Sequence, residues 1–254
     1  MHLDFNVLAS DKPAARKPNG LAVSTIVGAV LLACVVCLVL ANLAAVVVAY
    51  GSDTEVARSQ IVVKLIRFFD VDREGNLPSW FSTLQLFGIA LLSLAIGTLR
   101  FRWRLAWTHH WFVLSLLFAT LSLDESASLH EWTIPHVRTA LGVGGFLYWA
   151  WVVPGAIFVL ALTAFFWRFV FDLPLVIRLL AVCSAGLYLA GALGLEMVGG
   201  YYFELKGGRD LHYAFITTAE ESLEMMGLSL FIYALIRYAE MTFSVNPVLR
   251  QPSG

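Results

Sequence analysis

Six stretches of this chain are each about the length of a bilayer crossing: Leu21–Tyr50, Phe81–Leu99, Trp111–Trp132, Tyr148–Phe169, Leu179–Val198 and Tyr213–Ile236. A crossing needs about 20 apolar residues of helix. Inside the hydrocarbon core no water satisfies backbone N–H and C=O groups, so such segments must fold as helices. The expected fold class is therefore an all-α membrane protein, a six-transmembrane-helix bundle over residues 21–239 with tails at 1–20 and 240–254. Composition agrees, with 59% hydrophobic and 14% charged residues. The formal net charge of −1 hides a strong segregation of charge, so it gives no grounds for a nucleic-acid partner.

The distribution of Lys and Arg sets the expected orientation. With the N-terminus inside, Lys12, Arg16, Lys17, Arg100, Arg102, Arg104, Arg168, Arg178, Arg237 and Arg250 fall on the cytoplasmic side, the majority of the 17 basic residues. Excess positive charge in short cytoplasmic connections predicts both termini in. Four of the other basic residues, Arg58, Lys64, Arg67 and Arg73, share the first outer loop. There the pattern of Ile61–Phe69 puts Ile61, Leu65, Phe68 and Phe69 on one side and Gln60, Lys64 and Arg67 opposite, as in a helix lying in the membrane interface. The following Asp70-Val-Asp-Arg-Glu-Gly-Asn76 copies the first half of a calcium loop, but its twelfth position is Phe81. Without the bidentate glutamate it reads as an acidic turn leading into a helix.

Within or beside the spans lie Asp124, Glu125, Glu131, Glu196, Glu220, Glu221 and Glu224, accompanied by His130. A carboxylate at mid-bilayer costs on the order of 2.5–3.5 kcal/mol on insertion scales, so such residues mark functional sites and need partners. The topology carries all of them to the outer half. On the sixth span Tyr213, Thr217, Glu220, Glu221 and Glu224 share one arc; on the third, Asp124, Ser128 and Glu131 share a face that His130 can join. Gly186, Ala190 and Gly194 form a small-residue stripe suited to close helix contact on the fifth. Arg138, Lys206, Arg209 and His136 are the outer-loop groups in reach of Glu131 or Glu196, but no Lys or Arg accompanies the deeper acids.

Two solutions offset that charge: protons or a bound cation. Carboxylates with an imidazole suit a divalent Fe, Mn or Zn ion; carboxylates and hydroxyls alone suit Ca, Mg or a proton relay. The expected metal ligands are His130, Glu131, Glu196, Glu220 and Glu224, with Asp124 and Glu221 behind or alternating with them. The plainer alternative is a wet vestibule, or neutral carboxyls bonding helices together. Cys34-Val-Val-Cys37 lies in unbroken aliphatic sequence and reads as core packing rather than a metal pair. His109 and His110, beside Trp107 and Trp111, read as interfacial residues.

The strings Leu121-Ser-Leu-Asp-Glu-Ser-Ala-Ser-Leu-His-Glu131, Phe69-Asp-Val-Asp-Arg-Glu-Gly-Asn-Leu-Pro78 and Glu220-Glu-Ser-Leu-Glu-Met-Met-Gly227 resemble a group of uncharacterised bacterial multispanning proteins, some loosely labelled transporters. That resemblance implies a multi-pass protein of the bacterial inner membrane. Ser126-x-x-x-His130 is similar to the serine and histidine motif of alkaline-ceramidase-like membrane hydrolases, which use zinc to activate water; their C-terminal HxxxH is absent, with EExxE in its place. Di-iron carboxylate proteins share the ligand type but use an ExxH motif this chain lacks. There is no Walker motif, GxGxxG, GxSxG or HExxH, so no ATP site is expected. Three classes remain: a metal-dependent membrane enzyme acting on a lipid-like or quinone-like substrate, a proton- or cation-coupled secondary transporter, and a non-catalytic assembly subunit. The expected partners are the bilayer and a small cation or lipid-like molecule.

Overall fold

The computed structural model describes residues 22–51 and 59–243, and all regular structure among them is helical. The predicted tail at 1–20 and residues 244–254 of the predicted tail at 240–254 lie outside the described residues, as do Lys12, Arg16, Lys17, Arg58 and Arg250, while 240–243 are the last residues of the final helix rather than tail. Nine α-helices follow in order: α1 Val23–Gly51, α2 Gln60–Phe69, α3 Leu77–Arg102, α4 Thr108–Ala127, α5 Leu129–Leu141, α6 Val152–Asp172, α7 Leu175–Leu189, α8 Glu196–Lys206 and α9 Leu211–Phe243. A π-helical segment, Ala190–Leu195, joins α7 to α8 without a break. Among the described residues five helices are long and apolar enough to cross a membrane: α1, α3, α6, the continuous Leu175–Lys206 rod, and α9. The pair α4 and α5 makes a sixth if it counts as one broken span, bent by 80°.

Helix α9 is the axis of the molecule, packed by α1, α3 and α7, while α4 lies against α3. Its buried face mixes Leu228, Ile232 and Leu235 with Thr217, Thr218, Glu220 and Ser229. Lipid tails are as apolar as leucine, so helices in a membrane associate through close packing and hydrogen bonds instead of hydrophobic exclusion. The bonds are present at three levels. Gln85 Nε2 donates to Ser229 Oγ at 2.7 Å and to the Met225 carbonyl at 3.1 Å. Ser184 Oγ donates to the Gly227 carbonyl at 2.8 Å. Ser24 donates through its N–H and hydroxyl to both oxygens of Glu240, at 2.9 and 2.8 Å.

That last contact, with Trp107 Nε1 donating to Asp172 at 2.7 Å, gathers the start of α1, the α3–α4 and α6–α7 connections and the end of α9 at one end of the bundle. Arg100, Arg102, Arg104, Arg168, Arg178 and Arg237 belong to that end. Close by, the His110 ring stacks on Phe165 and Phe169, with centroids 4.8 and 5.5 Å apart, so it serves as an aromatic packing group.

The opposite end is organised by Asn42, only 1% exposed in α1. Its Nδ2 donates to Thr218 Oγ1 at 2.8 Å and its Oδ1 accepts the Val71 N–H at 3.2 Å. One amide thus ties α1, α9 and the α2–α3 turn together. Asn76 completes the turn by donating to the Asp70 carbonyl at 2.6 Å and accepting the Ser79 N–H at 3.2 Å, which caps α3. Asp70 pairs with Arg73 at 2.9 Å, as expected of an acidic turn. Asn42→Leu is expected to cost about 1–2 kcal/mol, since interhelical hydrogen bonds in membranes average about 0.6 kcal/mol and two are lost with their partners left buried. Thermal unfolding in detergent reads this directly.

Helix α2 starts one residue before the predicted interfacial helix, with the Ser59 hydroxyl accepting the Val62 N–H at 3.3 Å as its N-cap. It buries none of its residues, and Ile61, Leu65 and Phe68 are exposed.

Two expected spans take a different form. The predicted Trp111–Trp132 helix is broken at Ser128, which adopts left-handed backbone angles (φ 51°, ψ 38°). Four α-region turns cannot continue through a residue with positive φ. The fifth helix does not end near Val198 but runs on to Lys206, which places Glu196 about 15 Å from the helix end at 1.5 Å per residue.

Candidate functional site

Both changes of helix geometry build the site. In a straight helix, positions 124 and 130 would lie about 9 Å apart along the axis and on different faces. The break at Ser128 folds α5 back, so the His130 N–H donates to Asp124 Oδ1 at 2.8 Å and His130 Nδ1 lies 3.0 Å from Asp124 Oδ2. Asp124 therefore binds His130 twice and fixes its ring. With Nδ1 engaged, Nε2 is the nitrogen left to bind an ion.

Glu131 and Glu74 join His130, and one ligand atom from each of the three lies within 4.8 Å of the others. Glu74 was not among the expected ligands. It comes from the acidic turn held by Asn42 and Asn76, and its only sequence signal was that an acid-bearing outer loop shares the membrane side of the acidic spans. Its side chain keeps solvent access, yet local burial and the nearby Glu131 and Asp124 carboxylates raise its pKa above the ordinary glutamate value, against the opposing pull of His130.

A second group lies deeper. The His130 ring sits 4.9 Å from the Trp151 ring, and Trp151 Nε1 donates to Glu196 Oε1 at 2.7 Å. Glu196 lies within electrostatic reach of Glu220, which is 8% exposed. Because the helix extends past Glu196, this residue stands level with Glu220 instead of at the rim. Glu125 faces inward too, within electrostatic reach of Glu221 and Glu224. All seven expected ligands, with Glu74 and Glu125, line one cavity of about 1030 Å³. Among the described residues, only the group of Glu74, His130 and Glu131 brings three or more ligand atoms that close. Glu196, Glu220, Glu221 and Glu224 border the cavity without converging to that distance.

The π-helical segment lets the deep acids approach. A β-carbon at Gly191 would sit 2.7 Å from the Glu220 carbonyl oxygen and 2.7 Å from Glu224 Cγ, and one at Gly227 would sit 2.8 Å from the Tyr188 nitrogen. A π-bulge offsets the helical register by one residue. The expected contact stripe of Gly186, Ala190 and Gly194 accordingly gives way to Ser184, Gly191 and Ala192; a β-carbon on Gly186 would meet nothing within 4 Å.

The cations expected in reach of Glu131 or Glu196 have other partners. Arg209 pairs with Asp72 at 2.7 Å, and Arg138 lies over the Tyr148 ring at 3.9 Å while donating to its carbonyl. His136 Nδ1 is 3.0 Å from the Trp132 carbonyl. Ser126, the serine of the ceramidase-like string, is exposed and does not line the cavity. Cys34, Cys37 and Cys183 are free thiols.

At the mouth, Asp210 caps α9 by accepting the Tyr213 N–H at 2.9 Å and the Tyr202 hydroxyl at 2.7 Å, which lowers its pKa. Burial pushes Asp72 from 3.8 up to about 6 despite Arg209. The folded protein thus holds the Asp72 proton more tightly than the unfolded chain. Stability should fall as pH rises from about 4 to about 6 and level off above, by up to about 3 kcal/mol at 1.36 kcal/mol per pH unit of displacement. The difference in pH slope between wild type and Asp72→Asn, measured by thermal unfolding, isolates this contribution.

No curated protein matches the chain, and no solved structure does. Residues 29–238 match the family described as a domain of unknown function (DUF8692). That match spans α1 to α9 and includes every acid and the histidine of the cavity, so the chain belongs to this family of unknown function.

Proposed function

We propose that this protein is a six-span protein of the bacterial inner membrane, with both termini cytoplasmic, that binds a divalent metal ion in an outward-facing acidic site. The observation that carries the reading is the convergence of Glu74, His130 and Glu131 on a histidine oriented by Asp124. A metal-binding imidazole usually donates its other N–H to a carboxylate, and such partners are part of the site. Two carboxylates and an imidazole suit Fe, Mn or Zn. Confinement of the carboxylates to one end of the cavity supports a binding or catalytic site over a through-pathway, where ionisable groups would continue across. The bundle end carrying six described arginines is assigned to the cytoplasm by charge bias.

The test is metal content per chain in protein purified without added chelator, beside His130→Ala. Wild type should carry close to one Fe, Mn or Zn ion and the variant none. Protein that remains metal-free after incubation with each of the three ions would overturn the proposal.

A further inference from the structure

The cavity does not stop at the carboxylates. Helix α6 buries Val152 at its acidic end and Phe166 and Phe169 near its other end, and nothing between. The 14 residues from Val152 to Phe166 span about 21 Å of helix. Along that interval α6 touches the π-helical segment beside Gly155, where a β-carbon would sit 3.6 Å from Leu193, and beyond it the cavity continues as a slot walled by Phe118, Leu162, Ala185 and Phe231. Its volume of about 1030 Å³ lies at the top of the usual range for small-molecule sites, about 300–1,000 Å³. At the polar end Glu196, Glu220, Glu221 and Glu224 form no ion pair with Lys or Arg among the described residues; of the arginines that line the cavity, Arg209 pairs with Asp72 and Arg138 lies over Tyr148.

We infer that the cavity takes an amphiphile with a single apolar chain and a protonated amine head, the chain in the slot between α4, α6, α7 and α9 and the head among Glu196, Glu220 and Glu224. An ammonium group complements the deep carboxylates and the Trp151 face beside them. A carboxylate or phosphate head would meet like charge there, and an alcohol would leave that charge without a counterion. The inference rests on the cavity being a cation site, but it uses the deep carboxylates and leaves Glu74, His130 and Glu131 to the metal.

The test uses the full chain in phosphatidylcholine nanodiscs, once stripped with chelator and once metal-loaded, offered hexadecylamine, hexadecanol or hexadecanoic acid at pH 7. Bound probe is read by native mass spectrometry. Hexadecylamine should bind about 10-fold more tightly than the other two. Leu162→Trp and Ala185→Phe, which crowd the slot from two helices, should each weaken all three probes about 10-fold. Glu224→Gln and Glu220→Gln should reduce the amine to the level of the alcohol. Equal retention of the three probes, or amine binding that both slot variants leave intact in folded protein, would overturn the inference. Because the stripped protein is assayed separately, failure of the metal reading and failure of this one give different results.

Discussion

Gly191→Ala and Gly227→Ala are each expected to lower stability by about 3 kcal/mol, the upper end of what overpacking a close-packed site costs. Both added methyls meet backbone atoms at 2.7 to 2.9 Å, so neither collision is relieved by rotating a side chain. The α7–π–α8 rod and α9 would have to part, carrying Glu220 and Glu224 away from Glu196. Gly186→Ala and Gly194→Ala are the controls: a methyl at Gly186 meets nothing within 4 Å, and one at Gly194 comes no closer than 3.9 Å to an atom of its own helix. Replacing an exposed helical glycine by alanine gains up to about 1 kcal/mol of helix propensity, so these two should be neutral or stabilising. Thermal midpoints in one detergent separate the pairs. Equal effects at all four glycines would place the contact on the wrong face of the helix.

Asp124→Asn is expected to weaken divalent metal binding by about 10- to 100-fold, the usual effect of removing a carboxylate behind a ligating histidine. The amide keeps the shape and can still accept the His130 N–H. It loses the charge that holds Nδ1 protonated and Nε2 free. Glu131→Gln removes a ligand outright and should lose more, while Glu125→Gln, outside the tight group, should lose less. A competition titration against a chromogenic chelator ranks the three.

Much of this fold was legible in the chain. Apolar runs of span length located α1, α3 and α6 to within a few residues but stopped seven or eight residues short of the ends of α9 and of the Leu175–Lys206 rod, and the charge asymmetry of Ile61–Phe69 located α2. The failures were local and have physical causes. A positive φ at Ser128 has no strong sequence signal in a serine, so α4 and α5 read as one helix. The π-segment after Leu189 is built from Ala, Gly and Leu residues that suit an ordinary helix equally well; its register shift could not be read, so the contact was expected at Gly186, Ala190 and Gly194 instead of Ser184, Gly191 and Ala192.

The acids themselves were conspicuous because charge in an apolar run is costly. Their grouping was not, since distance between helices depends on the bend at Ser128 and on Gly191. Glu74 shows the limit most clearly. It lies in a loop where acids are unremarkable, and that loop is fixed over the cavity by the buried Asn42 reaching from α1 to Val71, by Asn76 and by the Arg209–Asp72 pair.

X-ray absorption at the metal edge of the purified, metal-loaded protein tests the central claim most directly, because it reports the atoms bound to the ion. The site at Glu74, His130 and Glu131 predicts one imidazole nitrogen together with carboxylate oxygens, and loss of the imidazole contribution in His130→Ala. A shell of oxygens alone in wild type, unchanged by that substitution, would contradict it and move the ion to the deep carboxylates.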